Sequence, residues 1–210
     1  MEITTVYIVR HCQSIANSKR LYNSKAEADE GLSDIGLLQA EYVGQHFASK
    51  KIDLIVTSPF KRTVQTSKAI EKYTKAKIIP TAALRELDCG EWDGETEDKI
   101  LEKFPEAWRG WHYDPQNNPI PGGESLIEVQ VRALSEFESV VKKNPGKSIV
   151  FVTHYCVFNV LMCSLLASLA NFRSFDTSNG SIAEIRLNNV PRLQSYFCPV
   201  KSINTIESHP

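Results

Sequence analysis

The sequence predicts an α/β fold, a three-layer sandwich in which a mainly parallel central sheet carries helices on both faces. Five short runs rich in β-branched residues are typical of strands buried on both faces of a sheet. They are 5–9, 54–57, 77–80, 148–153 and 182–187. Helical patterns alternate with these runs, which indicates βαβ units and a parallel sheet. The 210 residues fit a single catalytic domain over 1–210 that buries its own core.

Three helices are predicted from their start and stop signals. The first follows the N-cap Ser33 and runs to about residue 48. Its apolar stripe, expected to face the core, consists of Leu37, Leu38, Tyr42 and Phe47. The second spans about 61–73. The third opens with the capping box Ser125 and Glu128 and ends near residue 143, before the turn at 144–146.

One segment, about 84–123, interrupts the alternation of strands and helices. It contains all three tryptophans, Trp92, Trp108 and Trp111, together with several glycines and prolines. A connection of this length is usually functional. We therefore expect an excursion over the active site, with a small satellite core as the alternative interpretation.

Composition and charge exclude several classes of function. The chain is 42% hydrophobic and 23% charged, which is ordinary for a folded domain. Its 24 basic and 25 acidic side chains leave a net charge of -1, so no basic surface for nucleic acid or an anionic membrane is indicated. No apolar run is long enough to span a bilayer, and the first residues lack a signal-peptide pattern. A cytoplasmic protein is expected.

The cysteines and histidines show no metal or disulfide pattern. The five cysteines are odd in number and include no C-x-x-C pair. The histidines show neither H-x-x-x-H nor H-x-H spacing, so no metal site is expected. The sequence predicts no cofactor.

Chemically active side chains follow four of the predicted strands. Ligands of a parallel sheet bind beyond the carboxyl ends of its strands. The residues in this position are Arg10 and His11, then Arg62, then Glu86, and finally His154. Two arginines offer the bidentate donors that hold a phosphate dianion. A neutral imidazole is a nucleophile, a second, protonated histidine would stabilise developing charge, and a carboxylic acid can protonate a leaving alkoxide. Together these groups predict phosphoryl transfer through a phosphohistidine.

Several motifs resemble those of one known family. They are R-H-C-Q-S-I-A-N at 10–17, L-S-D-I-G-L-L-Q-A at 32–40, S-P-F-K-R-T-V-Q-T at 58–66, L-R-E-L-D-C-G-E-W-D-G at 84–94 and P-G-G-E-S at 121–125. His154 occupies the position of the family's second histidine. By these motifs, the chain resembles the short phosphatase branch of the histidine phosphatase superfamily, which is phosphoglycerate mutase-like. The resemblance spans residues 3 to about 187.

The resemblance implies a role for each candidate residue. His11 would be the nucleophile and Glu86 the proton donor, with Arg10, Arg62 and His154 as the phosphate clamp. Ser14 and Asn17 would add hydrogen bonds near the phosphate. The sequence departs from the family where Cys12 replaces a glycine and where Tyr155 and Cys156 replace small residues. These substitutions would narrow the pocket if close backbone approach is needed there.

The expected activity is metal-independent hydrolysis of a small phosphorylated metabolite. The first alternative is a cofactor-dependent phosphoglycerate mutase-like phosphotransferase, and the second is a catalytically weak phosphate-binding or scaffold relative. Six cations are candidates for the mouth of the pocket, where they would favour a second anionic group: Lys19, Arg20, Lys25, Lys61, Arg85 and Arg109. Neither the physiological substrate nor the oligomeric state follows from the sequence.

Overall fold

A computed structural model describes residues 2–188 and 190–200, and the rest of the predicted domain 1–210 lies outside these ranges. The strands are β1 (Thr4–Arg10), β2 (Leu54–Thr57), β3 (Lys77–Pro80), β4 (Ser148–Thr153), β5 (Ile182–Leu187) and β6 (Pro191–Phe197). The α-helices are α1 (Ile15–Ser18), α2 (Asp34–His46), α3 (Lys61–Thr74), α4 (Glu97–Lys103), α5 (Pro105–Tyr113), α6 (Leu126–Lys143) and α7 (Tyr155–Leu166). All five predicted strands and all three predicted helices are present.

The six strands form one mixed sheet in the order β3-β2-β4-β1-β5-β6. β1 to β4 run parallel, whereas β5 is antiparallel to β1 and β6 is antiparallel to β5. The prediction of a mainly parallel sheet is therefore confirmed. Because β5 is antiparallel, the loop before it reaches the edge where β1, β2 and β4 end. Four chain segments thus meet at one edge of the sheet.

The two edge strands differ from what the sequence suggested. β3 was expected to be buried on both faces, but Lys77, Ile79 and Pro80 are exposed because the strand pairs only with β2. β6 was not predicted at all. It begins with Pro191 and has no buried residue, so it lacks a buried run; an edge position tolerates a proline, which cannot donate to the ladder.

Helices cover both faces of the sheet, as the three-layer prediction requires. Val6 and Ile8 of β1 point to a core that includes α6 and α7, whereas Tyr7 and Val9 point to a core that includes α2 and α3. This alternation is the two-residue period of a strand buried on both sides. Among the described residues, no helix has the length and apolarity needed to cross a bilayer.

The prediction that the apolar stripe of α2 faces the core is wrong except at its last residue. Leu37, Leu38 and Tyr42 are each at least half exposed, and only Phe47 is buried. The buried face of α2 instead carries small residues that allow close approach. A Cβ on Gly36 would lie 1.9 Å from the carbonyl oxygen of Gln13, and one on Gly44 would lie 2.4 Å from that of Ala69 on α3. Close contact between backbones thus decides which face of α2 is buried.

The segment 84–123 is an ordered excursion that contains α4 and α5. Its residues Trp92, Ile100, Trp111 and Ile120 are buried within the main core on the α6 and α7 face. The alternative of a separate satellite core is therefore wrong. Glu86, Trp108 and His112 from the same segment line the pocket at the carboxyl edge of the sheet, so the excursion both completes the core and covers the site.

Candidate active site

His11 directly follows β1, and its imidazole is buried. Its Nδ1 lies 2.7 Å from the carbonyl oxygen of Cys12, so this nitrogen carries the proton and donates. Nε2 accepts from Nε of Arg62 at 3.2 Å. Burial, reinforced by the charges of Arg62 and Arg10, holds the pKa of His11 well below its ordinary value. His11 therefore presents an unprotonated Nε2, the form that can attack phosphorus.

His154 directly follows β4 and lies beside His11, with 5.2 Å between the ring centroids. Its Nδ1 accepts from Nε of Arg62 at 3.3 Å, so the proton is on Nε2, which donates to Oγ of Ser58 at 2.8 Å. Burial lowers the pKa of His154 well below its ordinary value, and the positive charge of Arg62 lowers it further. The expected protonated histidine is thus neutral in these surroundings. A phosphate dianion beside it would raise this pKa again, because an opposite charge favours the protonated form.

Arg62, in the first turn of α3, is held by groups that the sequence analysis did not identify. Its Nη1 lies 3.4 Å from Oδ1 of Asp29, and both side chains are almost completely buried. Oδ2 of Asp29 accepts the backbone N–H of Arg62 at 3.1 Å. The carbonyl oxygen of Asn23 accepts from Nη2 at 3.0 Å. With Nη1 and Nη2 engaged in this way, Nε remains directed at the two imidazoles.

Arg10, the last residue of β1, approaches the site from the other side. Its Nη1 donates to the carbonyl oxygen of Thr177 at 2.6 Å, and its guanidinium lies 5.3 Å from the ring centre of Tyr155. Within the described ranges, its buried Nε has no hydrogen-bond partner. A buried donor without a partner costs about 1–3 kcal/mol. This nitrogen is therefore available to an anionic ligand.

Glu86 lines the same pocket as His11. Its Oε1 accepts the backbone N–H groups of Leu87 at 2.9 Å and Cys156 at 3.2 Å. Burial raises the pKa of Glu86 above its ordinary value, although Leu87 and the nearby arginines oppose the shift. A carboxyl group with a raised pKa keeps its proton to higher pH, which suits a proton donor.

A partly buried ion pair between Arg132 of α6 and Glu124, which precedes that helix, holds the segment that carries Glu86. Arg132 lies 2.9 Å from the carboxylate of Glu124, whose Oε2 also accepts the backbone N–H of Asp88 at 3.0 Å. The same guanidinium donates at 2.7–3.2 Å to three backbone carbonyls, those of Ala83, Arg85 and Glu86. The P-G-G-E-S motif thus supplies Glu124 to a clamp that positions the acid. Arg132 was not predicted, because a lone arginine in a helix gives no sequence signal.

Ser14 and Asn17 line the pocket and also cap α1. Oδ1 of Asn17 accepts from the backbone N–H of Ser14 at 3.1 Å and from its Oγ at 3.0 Å. Asn179, in the loop before β5, donates to the carbonyl oxygen of His11 at 2.9 Å. The structure brings both predicted residues to the site, and their hydrogen bonds to phosphate remain a prediction.

The outer pocket is aromatic and charged. Of the six cations suggested for its mouth, only Arg20 lines it, and Arg173, which was not predicted, joins it. The other residues of this outer part include Tyr22, Glu97, Trp108, Trp111, His112, Ile120 and Tyr155. Trp92 is completely buried beneath them. Among the described residues, no group of histidine, cysteine and acidic side chains is placed to hold a metal ion.

A sequence model of the histidine phosphatase superfamily (branch 1) matches residues 6–195. The chain belongs to this superfamily. It is 32% identical over 181 residues to phosphoserine phosphatase 1 of Hydrogenobacter thermophilus, covering 86% of this chain and 85% of the relative.

Solved structures of superfamily members share the fold. YhfR of Bacillus stearothermophilus is 26% identical with a TM-score of 0.85, covering 91% of this chain and 95% of that one. The mycobacterial glucosyl-3-phosphoglycerate phosphatase is 23% identical with a TM-score of 0.84, covering 94% and 100% of the two chains. At that identity, the second match supports the fold alone.

The residues that depart from the superfamily motifs lie in two different places, the core and the pocket lining. Cys12 packs in the core on the α2 and α3 face, and its backbone N–H donates to Oγ1 of Thr66 at 3.2 Å. It does not line the pocket, so the expected narrowing at this position is wrong. Tyr155 and Cys156 do line the pocket, where Tyr155 underlies Arg10 and Cys156 contacts Glu86 through its backbone.

Proposed function

We propose that this chain is a metal-independent phosphomonoester hydrolase that acts on a small phosphorylated metabolite through a phosphohistidine at His11. The observation that carries the proposal is the unprotonated Nε2 of His11, with Arg10 and Arg62 beside it and Glu86 in the same pocket. A protein that only bound phosphate would need neither the nucleophile nor the acid. The name of the Hydrogenobacter relative supports hydrolysis over phosphoryl transfer to a second metabolite.

In the first step, the lone pair of His11 Nε2 forms an N–P bond while the bond between phosphorus and the leaving oxygen breaks. Glu86 gives its proton to that oxygen, so the product leaves as an alcohol. Arg10, Arg62 and His154 stabilise the charge on the three phosphoryl oxygens. The Nδ1–H bond to the Cys12 carbonyl keeps the ring in the reactive tautomer.

In the second step, water attacks the phosphohistidine. The Glu86 carboxylate takes a proton from this water as the new O–P bond forms and the N–P bond breaks. Inorganic phosphate leaves, and both His11 and Glu86 return to their starting states. Every proton transfer uses a residue that lines the pocket.

The partner of this site is, on our proposal, a small phosphomonoester, and the protein acts in the cytoplasm without nucleic acid or membrane. The near balance of charge supports the absence of a nucleic-acid or anionic-membrane partner. No disulfide joins the five cysteines, all of which lie within the described ranges, and this suits a reducing compartment.

The proposal is tested by phosphate release from a panel of phosphomonoesters in excess chelator, with His11→Ala beside the native protein. We expect release that survives chelation and falls by three or more orders of magnitude in the variant. Transfer of the phosphoryl group to a second hydroxyl, without net phosphate release, would favour the mutase alternative. Phosphate binding without turnover would favour the scaffold alternative.

A further inference from the structure

The loop before β5, residues 176–181, binds both of the site residues at the end of β1. The carbonyl oxygen of Thr177 accepts from Nη1 of Arg10 at 2.6 Å. Nδ2 of Asn179 donates to the carbonyl oxygen of His11 at 2.9 Å. Thr177 and Asn179 are almost completely buried. The orientation of the arginine and the position of the nucleophile therefore depend on how this loop is held.

Two side chains from other elements hold the loop at Thr177. Tyr196, on the edge strand β6, donates from its hydroxyl to the carbonyl oxygen of Asp176 at 2.5 Å, and the same hydroxyl lies 3.1 Å from Oγ1 of Thr177. Asn159, on α7, accepts from Oγ1 of Thr177 at 2.5 Å through its Oδ1. The side chain of Thr177 and the carbonyl group that precedes it are thus fixed by a strand and by a helix.

Packing does not account for an asparagine at position 159. Its side chain is completely buried, and among the described residues its Nδ2 has no hydrogen-bond partner. A buried donor without a partner destabilises the folded state. A leucine of similar shape would avoid this cost. The contact that distinguishes Asn159 from a leucine is the one that its Oδ1 makes with Thr177.

The ring and the hydroxyl of Tyr196 have separate contacts. The ring packs near Phe158 and Phe175, with 6.0 and 6.4 Å between the centroids. A phenylalanine at this position would keep that packing. Only the hydroxyl reaches the 176–181 loop. The edge strand therefore does more than extend the sheet, because it places a hydrogen-bond donor against the loop that anchors Arg10.

Fixing the carbonyl group of Thr177 also fixes the direction of Nε in Arg10. The guanidinium group is planar, and its N–H donors point in fixed directions. Nη1 is bound to Thr177, and the guanidinium lies over the ring of Tyr155, 5.3 Å from its centre. One hydrogen bond and one stacked plane together determine where the remaining N–H groups point. A displaced Thr177 would turn Nε away from the position of the phosphate.

We infer that Tyr196 and Asn159 are positioning residues of the phosphate site. They hold Thr177 so that its carbonyl oxygen keeps the guanidinium of Arg10 in the orientation that binds phosphate. Neither side chain lines the pocket, so both act through Arg10 and not on the substrate. This inference rests on the proposed function, in which Arg10 belongs to the phosphate clamp.

Tyr196→Phe tests the contribution of the hydroxyl. Calorimetric titration with inorganic phosphate should show a Kd about tenfold higher than that of the native protein, the factor that corresponds to one weakened charged hydrogen bond. The kcat/KM for p-nitrophenyl phosphate should fall by a similar factor. In an Arg10→Met background, Tyr196→Phe should leave kcat/KM unchanged, because the residue through which it acts is absent. An equal loss in both backgrounds would overturn the inference.

Asn159→Leu separates a positioning role from a structural one. The change removes the unpaired buried donor, and Thr177 can donate instead to the hydroxyl oxygen of Tyr196 at 3.1 Å. We expect a urea midpoint equal to or above that of the native protein, together with a Kd for inorganic phosphate raised about tenfold. A residue that only stabilised the fold would lose stability and affinity together. That result, or a native Kd, would overturn the role of Asn159.

Tyr73→Phe is the matched control. The hydroxyl of Tyr73, on α3, donates to Glu41 on α2, and neither residue lines the pocket. The control loses a tyrosine hydrogen bond of the same kind and should keep the native Kd for phosphate. If it raises the Kd as much as Tyr196→Phe does, the effect is a general loosening of the fold and the inference fails.

Binding and turnover together distinguish failure of this inference from failure of the proposed function. A native protein that hydrolyses p-nitrophenyl phosphate, with variants that bind phosphate as tightly as it does, overturns the positioning role alone. A native protein that binds phosphate but hydrolyses no phosphomonoester overturns the proposed function. In that case, the raised Kd of Tyr196→Phe and Asn159→Leu would still support the positioning of Arg10.

Discussion

Replacing Asp29 with asparagine tests how the arginine beside the nucleophile is held. Asp29 is 3.4 Å from Nη1 of Arg62, and the exposed fractions of the two side chains are 1% and 3%. Its two oxygens also accept the backbone N–H groups of Gly31 and Arg62, each at 3.1 Å. Asparagine keeps the shape but has one acceptor oxygen and no charge. The change leaves a buried guanidinium without its counter-charge.

The expected cost follows from the burial of this pair. Removing one partner of a buried ion pair costs about 3–5 kcal/mol, because the other charge stays desolvated and unpaired. Arg62 keeps its hydrogen bonds to Asn23, so we expect the lower end, about 3 kcal/mol in the free energy of unfolding. The matched control is Glu30→Gln, which breaks the exposed pair with Lys19 at 2.8 Å. An exposed pair contributes less than about 1 kcal/mol.

Urea unfolding of both variants, with and without inorganic phosphate, measures these effects. A ligand at about a hundred times its Kd stabilises the folded state by about 2.7 kcal/mol. We expect phosphate to stabilise Asp29→Asn more than the native protein, because the unpaired Arg62 gains a counter-charge. A loss no larger than that of Glu30→Gln would refute the reasoning. So would an equal phosphate effect in the native protein and Asp29→Asn.

Three further predictions concern the reaction itself. Glu86→Gln should slow alkyl phosphates by about 10²–10⁴-fold but aryl phosphates much less, and equal losses in steady-state assays would contradict the proton-donor role. The acid limb of the pH profile of kcat/KM should reflect protonation of His11, whose pKa burial and the two arginines hold well below its ordinary value, and the basic limb should reflect loss of the Glu86 proton, whose pKa burial raises; Glu86→Gln should remove the basic limb. Arg132→Met should lower kcat for alkyl phosphates by about tenfold to a hundredfold through displacement of Glu86, with aryl phosphates less affected; equal losses on both would indicate general damage to the fold.

The sequence predicted those parts of the fold that depend on local patterns. Continuous buried runs located β1, β2, β4 and β5, and Ser125 with Glu128 forms the predicted capping box. The buried face of α2 could not be predicted, because it depends on the approach of α3 to Gly44. β6 was missed because an exposed edge strand has no apolar run.

In the candidate site, too, the residues marked by local patterns were predicted and those that depend on distant contacts were not. The structure places His11, Glu86, Arg10 and Arg62 around one pocket, with His154 behind them, because the ends of parallel strands meet. The groups that hold these residues were not predicted. Asp29, Asn179 and Arg132 act through contacts between segments far apart in the chain, and no local pattern marks them. Arg173 lies in an irregular loop and was missed for the same reason. Glu124 belongs to the P-G-G-E-S motif, but the motif did not reveal its contact with Arg132.

The central claim is a covalent phosphohistidine at His11, and a rapid acid-free quench followed by mass spectrometry tests it directly. The native protein and Glu86→Gln would be mixed with p-nitrophenyl phosphate, quenched in base and digested. The account predicts one phosphoryl group, labile to acid and stable to base, on the peptide that contains His11. It should accumulate more in Glu86→Gln, which lacks the base for the second step. A phosphoryl group on another residue, or turnover by His11→Ala at the native rate, would contradict the account.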